Sequence, residues 1–485
     1  MAIPTHKSIL ITDRLLRSSI RCRRKAWLDS YGDKSKKLWS AHRTLQLDHQ
    51  HQSFISLLEN SKSKSIGSCQ EGAPFVLGLK LKLENSSGYS LQASPAIIQK
   101  IDGKSKWGDF SYRPVITRQG NNLTREHRLI LSLTGQLLEN HQEAPVNEAI
   151  VICKKEKRLD IEVIKLTESL GVQVLESINK LTKDLKLLVP PPLTQNRRKC
   201  AICSWRGICN LEASSQGHLT EVNGIGGKRL EMLKKVGITN LEELSKSNPN
   251  QIKDSLGDIN GELSNKIIQQ ALVKIENKEK HINQLEALPE LKDAPGVLLY
   301  DIESDPDKKH DFLHGFLKLK HDKNGSWGLD HIKYQPLLNI NNDNENYIWE
   351  RIRKKLNNYP DWPILHYGDT ELLSITKLAH RQNINRSDIQ IISNRFIDIQ
   401  YILKKHWVLP LTSYSLKSVA KHIGFDWDMK GVDGSMALLW WRQWKNSRKL
   451  SKSFSKNLNY IFNYNKDDCL ATWAITSWML TQDNL

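Results

Sequence analysis

The chain has 485 residues, and its 71 lysine and arginine residues outnumber its 53 aspartate and glutamate residues, which gives a formal net charge of +18. That length predicts two or three domains, and the positive charge favours a polyanionic partner, nucleic acid before a membrane surface. No apolar run approaches the roughly 18 residues of a membrane span, and the opening segment carries charge where a signal peptide is apolar. We therefore expect a soluble cytoplasmic, nucleoid-associated protein that has no membrane partner.

The N-terminal part is predicted to combine a basic helix with a mixed sheet. Residues 1–50 contain eleven basic and four acidic residues, and apolar residues recur at helical spacing through Ile11, Leu15, Leu16 and Ile20. Residues 75–165 alternate between apolar and polar residues as strands do, with one helical stretch, HRLILSLTGQLLEN, between the strands. This pattern is typical of a domain in which one helix packs against a sheet.

Four of the seven cysteines form a candidate metal site, which the sequence assembles from two distant segments. Cys22 lies in a basic stretch near the start, and Cys200, Cys203 and Cys209 lie in another directly after the proline triplet 190–192. Basic neighbours lower the pKa of a thiol and favour the thiolate that binds metal. Seven cysteines are too few for a disulfide framework in this long chain, and Cys69, Cys153 and Cys469 fit buried positions.

The segment 216–250 contains a glycine turn between two short helical patterns, with Gly224 and Gly226 directly before Lys228 and Arg229. It resembles the helix-hairpin-helix motif, and the resemblance implies that backbone N–H groups and these two cations contact a DNA phosphate. An ordinary helical turn with glycine caps is the alternative. Residues 251–292 are charged and favour helix, and we interpret them as a helical linker.

The C-terminal part, from residue 293, opens with the apolar run GVLLY followed by Asp301 and Glu303. Residues i and i+2 of a strand face the same side, so both carboxylates should project together, where they would repel each other unless a divalent cation lies between them. A solvated strand end is the alternative interpretation. A turn signal at Asn324 and Gly325 predicts that this strand continues into a meander.

Later segments of the C-terminal part add further candidate ligands. Glu371 lies at a predicted strand-to-helix junction, with Asp369 as a close rival. Tyr464 and Asp468 stand at i and i+4 of a predicted helix and should share one face. Trp440, Trp441 and Trp444 are spaced for stacking on bases, although we expect them to fill a core.

These residues resemble the motifs of the RNase H-like, DnaQ-type exonucleases. The resemblance implies that Asp301, Glu303, Glu371 and Asp468 bind two Mg²⁺ or Mn²⁺ ions and that Tyr464 positions the attacking water. The second motif departs from the family, which has an asparagine and then an aspartate where this chain has Tyr367 and Glu371. Asp398 fits a structural role in the segment that connects the motifs.

The four cysteines resemble the ligands of RecB-like nucleases that carry an iron–sulfur cluster, a family that includes CRISPR-associated members. The resemblance implies a 4Fe-4S cluster at Cys22, Cys200, Cys203 and Cys209, and zinc stays an alternative because spacing does not select the metal. Ala96 occupies the position expected for the family's first catalytic aspartate, and no Glu-x-Lys sequence follows. Gln136 matches a family glutamine but has no tyrosine after it, so we expect this nuclease centre to be degenerate.

The order of these regions along the chain is similar to that of a bacterial class of RecB-like nucleases with a YprB-type RNase H-like end. The two resemblances predict a multidomain protein of the α/β and α+β classes, with a RecB-like domain at 1–215, the hairpin unit at 216–250, the linker at 251–292 and an exonuclease-type domain at 293–485. The expected function is exonucleolytic hydrolysis of phosphodiester bonds in DNA or RNA, DNA being favoured, by a two-metal-ion mechanism in the C-terminal domain. A helicase or repair protein is the expected partner. The alternative is a non-catalytic nucleic-acid-binding accessory protein in repair or CRISPR-type processes, and a third hypothesis, attachment to a membrane surface, leaves the acidic residues unexplained.

Overall fold

The computed structural model describes residues 9–59, 66–85, 88–118, 122–155, 158–257, 261–321, 327–340, 345–447 and 455–483. The chain divides into two compact units, Met1–Leu211 and Glu212–Leu485. Each unit has its own hydrophobic cores, so each is described by itself below.

The strands of the described residues are β1 Ile9–Thr12, β2 Phe75–Leu77, β3 Leu81–Asn85, β4 Tyr89–Ala93, β5 Ile97–Ser105, β6 Gly108–Thr117, β7 Glu148–Lys155, β8 Arg158–Lys165, β9 Lys280–His281, β10 Gly296–Asp305, β11 His310–His321, β12 Trp327–Leu338, β13 Ile364–His366, β14 Phe396–Asp398 and β15 Trp407–Val408. The α-helices are α1 Asp13–Arg21, α2 Arg23–Tyr31, α3 Ala41–Glu59, α4 Arg125–Gln142, α5 Glu168–Leu185, α6 Arg206–Ser215, α7 Gly227–Lys235, α8 Leu241–Ser245, α9 Pro249–Leu256, α10 Glu262–Glu276, α11 Glu345–Asn357, α12 Thr370–Arg381, α13 Arg386–Ser393, α14 Ile399–His406, α15 Leu416–His422, α16 Gly434–Ser447 and α17 Ser455–Asp483.

The first unit contains a five-stranded sheet in the order β2-β5-β6-β7-β8 and a three-stranded sheet in the order β1-β4-β3. Strands β6 and β7 are parallel and are joined through α4, whereas the other neighbours in the large sheet are antiparallel. Helix α4 buries Leu129, Leu133 and Leu137, which recur every four residues, against this unit's core. The mixed sheet with one packed helix, predicted from the sequence, is confirmed.

In the second unit, helices α9 and α10 of the predicted linker pack against the predicted hairpin unit. Helices α9 and α10 bury Ile252, Ile267, Ile268 and Ala271 in the same core as the apolar residues of the predicted hairpin unit. Glu221, three residues before Gly224, accepts hydrogen bonds from Lys274 of α10 (3.2 Å) and from Thr412 (3.0 Å). The described residues of 216–276 therefore form one packed helical body, because the few apolar residues of α9 and α10 are buried in a shared core.

The larger part of the second unit is a five-stranded mixed sheet in the order β12-β11-β10-β13-β14. Strand β10 pairs antiparallel with β11 and parallel with β13, and its apolar run is fully buried. The predicted meander β10-β11-β12 is confirmed, although its turn at Asn324 and Gly325 lies outside the described residues. Helix α17 packs against β10 and β11, and this arrangement brings the last motif of the sequence to the first strand. The protein is thus a multidomain mixed α/β protein, as expected.

Candidate active site

The central feature of the second unit is a group of three carboxylates from β10 and α17. Asp301 and Glu303 project from the same side of β10, as the two-residue period of a strand requires, and Asp468 reaches them from α17. Each offers an oxygen atom that lies within 4.8 Å of the other two. In the part of the chain that the structure describes, no other three acidic, histidine or cysteine side chains approach each other so closely.

Asn465 and Tyr334 hold Asp301 in place. The Asn465 side chain donates from Nδ2 to Oδ2 of Asp301 at 2.6 Å, and its Oδ1 accepts a hydrogen bond from the Tyr334 hydroxyl at 2.8 Å. A hydrogen bond to a carboxylate is stronger than one between neutral groups. The chain from β12 through α17 to β10 therefore fixes the orientation of one candidate ligand before any substrate arrives.

Gly315 makes this arrangement sterically possible. It pairs with Asp301 across the β10–β11 ladder, and a Cβ atom built on it would lie 1.6 Å from Oδ1 of Asn465. No side chain can tolerate such an approach, so only glycine at this position lets Asn465 cross the strand and reach Asp301.

Tyr464 and Trp427 act on Asp468. Tyr464 lies one helical turn before Asp468 and forms a side-chain hydrogen bond with it. The indole Nε1 of Trp427 donates to Oδ1 of Asp468 at 2.7 Å. Burial raises the pKa of Asp468 to about 6, because these hydrogen bonds and the charge of Lys417 only partly offset the loss of solvation.

The other two carboxylates are destabilised as anions. Burial raises the pKa of Asp301 well above its ordinary value, and the negative charges of Asp468, Glu303 and Glu371 raise it further. Glu303 behaves in the same way, with burial as the main cause and Asp468 as the next. Crowded, buried carboxylates of this kind are suited to a bound cation, because the single charge of Lys417 does not neutralise them.

Lys417 is a basic side chain beside these carboxylates. It lies on α15, its Nζ is 4.8 Å from the centre of the Tyr464 ring, and its charge acts on Asp468 and Glu303. Burial lowers the pKa of Lys417, and the same carboxylates oppose that shift. Its position allows it to contact an anionic group bound at the carboxylates.

The structure separates Glu371 from its rival Asp369. Glu371 is 6% exposed and lies with its Oε2 3.7 Å from Nδ1 of His366, whereas Asp369 is exposed and precedes α12. Glu371 is not one of the three clustered carboxylates, but its charge raises the pKa of both Asp301 and Glu303. Its Oε2 atom is buried and has no hydrogen-bond partner. Of the two acids, Glu371 is therefore the one oriented toward the site.

Two expectations about structural residues are confirmed. Asp398 caps α14 by accepting hydrogen bonds from the N–H groups of Gln400 and Tyr401, and it also accepts one from Gly368. Trp441 and Trp444 are 0% and 2% exposed and stack on each other, so they belong to the core. Trp440 is partly buried and packs against Tyr460.

The predicted ligand cysteines lie near one another in the first unit. Burial raises the pKa of the Cys200 thiol, and the thiols of Cys203, Cys22 and Cys209 raise it further. Trp205 lies between Cys203 and Cys209 in the sequence and is buried. Its Nε1 donates to Asp29 of α2 at 2.8 Å, which connects the segment of the three later cysteines to the helix that follows Cys22. No three of the four sulfur atoms lie within 4.8 Å of one another.

The other predicted nucleic-acid contacts also have defined positions. Gly224 has a φ of +89°, and Gly226 precedes the first turn of α7. Lys228 and Arg229 are exposed, and Arg229 donates from Nη1 to the Gly224 carbonyl oxygen at 2.7 Å. Ala96 and Gln136, which the sequence analysis compared with a nuclease motif, are both exposed. Within the described residues, no helix combines the length and the apolar character that crossing a bilayer requires.

Comparison with known proteins agrees with the geometry of the second unit. Residues 298–480 match the family model of the RNase H superfamily. This range extends from β10 into α17 and includes Asp301, Glu303, Glu371 and Asp468. The C-terminal part is therefore an RNase H-like domain, a class consistent with nucleases that use Mg²⁺ or Mn²⁺. No curated protein matches the chain. One solved structure, titled "Crystal structure of SSO0001", is 15% identical over 43% of this chain and 88% of its own, with a TM-score of 0.29.

Five residues of this site were not predicted from the sequence: Asn465, Tyr334, Gly315, Trp427 and Lys417. Asn465 lies directly after Tyr464, but nothing in the local pattern indicates a bond to a residue 164 positions away. Gly315 interrupts the apolar run of a strand, which is a usable signal for close approach of another group.

Proposed function

We propose that the C-terminal domain is a metal-dependent nuclease that hydrolyses phosphodiester bonds exonucleolytically by a two-metal-ion mechanism. The observation that carries the proposal is the convergence of Asp301, Glu303 and Asp468, because hard divalent cations prefer clustered carboxylate oxygens. The match of residues 298–480 to the RNase H superfamily supports the reaction class.

The donor set suits Mg²⁺ or Mn²⁺. Asp301, Glu303 and Asp468 would hold the ions, with Glu371 as a further ligand because its buried Oε2 has no hydrogen-bond partner. Bound ions of this kind lower the pKa of a water molecule and stabilise the entering and leaving oxygens of an in-line displacement. Asn465 would keep Asp301 oriented throughout, since its hydrogen bond does not involve the reacting groups.

Tyr464 and Lys417 complete the proposed chemistry. The Tyr464 phenol, held by Asp468, would orient the attacking water, and burial keeps it protonated because its pKa is raised. Lys417 would contact a phosphate oxygen, since its ammonium group lies over the Tyr464 ring. The pairing of a tyrosine with an aspartate four residues later supports attack at a strand end, as in the DnaQ-type exonucleases.

A cleavage assay with matched substitutions at Glu371 and Asp369 tests this proposal. We expect the purified chain to shorten end-labelled DNA or RNA strands in Mn²⁺ or Mg²⁺ and not in EDTA. Glu371→Gln should lower the rate by about 100-fold, since it removes a proposed ligand and keeps the side-chain shape. Asp369→Asn, the control, should change the rate by less than about threefold because the side chain is exposed. Equal effects of the two substitutions, or no metal-dependent cleavage, would contradict the proposal.

We further propose that Cys22, Cys200, Cys203 and Cys209 hold a 4Fe-4S cluster in a RecB-like first unit. The four thiols act on one another electrostatically, which supports a shared ligand. Zinc stays the alternative metal, because four thiolates suit either a tetrahedral zinc ion or a four-iron cluster. The helical body at 216–276 would contact DNA through Gly224, Gly226, Lys228 and Arg229.

Protein isolated without oxygen should be brown and contain about four iron atoms per chain. Cys203→Ser should lose the visible absorption, whereas Cys153→Ser, in a buried cysteine of β7, should retain it. Colourless protein with stoichiometric zinc would instead favour the alternative metal.

A further inference from the structure

Four arginines of the first unit converge on one surface. Arg14, Arg17 and Arg21 follow one another on α1 at intervals of three and four residues, which places them on one face of the helix. Arg43, on α3, is close enough for all three to act on its charge. We name these four residues the arginine cluster.

Few negative charges balance the arginine cluster. Glu126, in the first turn of α4, pairs with Arg21 through two hydrogen bonds of 2.5 and 2.9 Å and with Arg17 at 3.4 Å. Asp13 also attracts Arg17 and Arg14. Neither Arg14 nor Arg43 makes an ion pair with any carboxylate among the described residues, and both are exposed. The cluster thus retains an excess of positive charge that faces solvent.

The guanidinium groups destabilise one another. Partial loss of solvation lowers the pKa of Arg43, although its side chain remains largely exposed, and the positive charges of Arg14, Arg17 and Arg21 lower it further. Burial is also the main cause of the lowered pKa of Arg17. Such crowding is unfavourable in the free protein and is relieved when an anion lies between the groups. Arginine suits phosphate in particular, because its planar fork donates two parallel hydrogen bonds.

We propose that the arginine cluster binds the phosphate backbone of a nucleic-acid strand. A membrane surface offers phosphate as well, but α1 does not have a free apolar face to insert into it. Leu16 of α1 is fully buried in the core of the first unit, and Leu15 and Ile20 pack against the same core. An interfacial helix keeps its apolar face available for lipid, whereas the apolar residues of α1 pack against the core. The proposal concerns binding and does not depend on cleavage in the second unit.

The test is strand binding by the full chain in EDTA, where metal-dependent cleavage is absent. Arg14→Ala combined with Arg43→Ala should weaken the affinity for a fluorescein-labelled 20-nucleotide strand by about tenfold, as measured by fluorescence anisotropy. The slope of log K against log salt should become shallower by about 1.4, the value for two lost contacts to single-strand phosphates. If the double variant unfolds, each single variant carries the test with about a threefold effect.

Lys180→Ala combined with Lys183→Ala is the matched control. Both lysines are exposed on α5 of the same unit, and the double change removes the same charge without touching the cluster. It should alter the affinity by less than about twofold. Unchanged binding by the arginine variant, or an equal loss in the lysine variant, would overturn the proposal. So would an arginine variant that binds strands normally but no longer binds phosphatidylserine vesicles.

Discussion

Replacing Asp301 with asparagine should abolish metal-dependent cleavage and at the same time stabilise the metal-free protein. The variant keeps the side-chain shape and an oxygen atom that can accept the hydrogen bond from Asn465. It removes one of three crowded negative charges that bind the ions, so we expect the cleavage rate to fall by at least about 1000-fold. The loss of repulsion should raise the melting temperature in EDTA by roughly 3 to 6 °C near pH 8.

The stabilisation should depend on pH in a direction that the raised pKa values fix. A carboxyl group with a raised pKa in the folded state binds more protons when folded than when unfolded. Stability is therefore lost as the pH rises above the ordinary pKa of the group. For Asp468 this window runs from the ordinary value of 3.8 to about 6, and Asp301 shifts in the same direction. Scanning calorimetry in EDTA should therefore show a difference between Asp301→Asn and the parent that is small at pH 4 and grows toward pH 8.

Asp311→Asn is unsuitable as a control for this substitution because Ser304 and Ser374 both donate to that carboxylate. Asp369→Asn is suitable, since Asp369 is exposed. It should leave the rate within about threefold of the parent and the melting temperature within about 1 °C. A metal-free Asp301→Asn protein that melts below the parent at pH 8 would contradict the electrostatic account of the site.

Replacing Gly315 with alanine should disable the site from a position that binds no ligand. The added Cβ would lie 1.6 Å from Oδ1 and 2.8 Å from Cγ of Asn465, so the Asn465 side chain must leave its place. Its hydrogen bonds to Asp301 and Tyr334 would then be lost. We expect the free energy of unfolding to fall by about 2 to 4 kcal/mol and the cleavage rate to fall by about 100-fold.

A second substitution separates the steric effect from the positioning effect. Asn465→Ala in the Gly315→Ala background removes the clash, so the double variant should recover most of the lost stability but little of the activity, because Asp301 still lacks its donor. Gly328→Ala on β12 is the control, since a Cβ there would approach the Lys320 carbonyl oxygen only to 3.8 Å. If Gly315→Ala and Gly328→Ala had similar effects, the close approach of Asn465 would not be what Gly315 provides.

The parts of the site that the sequence predicted are those governed by local periodicity. Asp301 and Glu303 end an apolar strand with a two-residue spacing, and Tyr464 and Asp468 share a helix face, so their orientation follows from the element that carries them. That β10 and α17 meet was expected only from a resemblance to a family. Lys417 and Asn465 were missed because their importance arises from contacts across 51 and 164 residues, which no local pattern records.

The packing of α9 and α10, which lie in the predicted linker, was missed for a similar physical reason. The charged composition of this region suggested a linker, but Ile267, Ile268 and Ala271 lie on one face of α10 and are buried. A helix needs only a narrow apolar stripe to pack, so average composition underestimates its burial. The mixed sheets were predicted because alternation of apolar residues is a direct consequence of having one face of a strand buried.

Titration of the metal-free protein with Mn²⁺, followed by electron paramagnetic resonance, tests most directly whether the carboxylates form a metal site. The parent chain at pH 8 should bind two Mn²⁺ ions per C-terminal domain, measured as the loss of the signal of free Mn²⁺. The Asp301→Asn variant should bind at most one ion, and weakly. A parent chain that binds no Mn²⁺, or an Asp301→Asn variant that binds as many ions with the same affinity, would show that Asp301, Glu303 and Asp468 do not act as a shared ligand set.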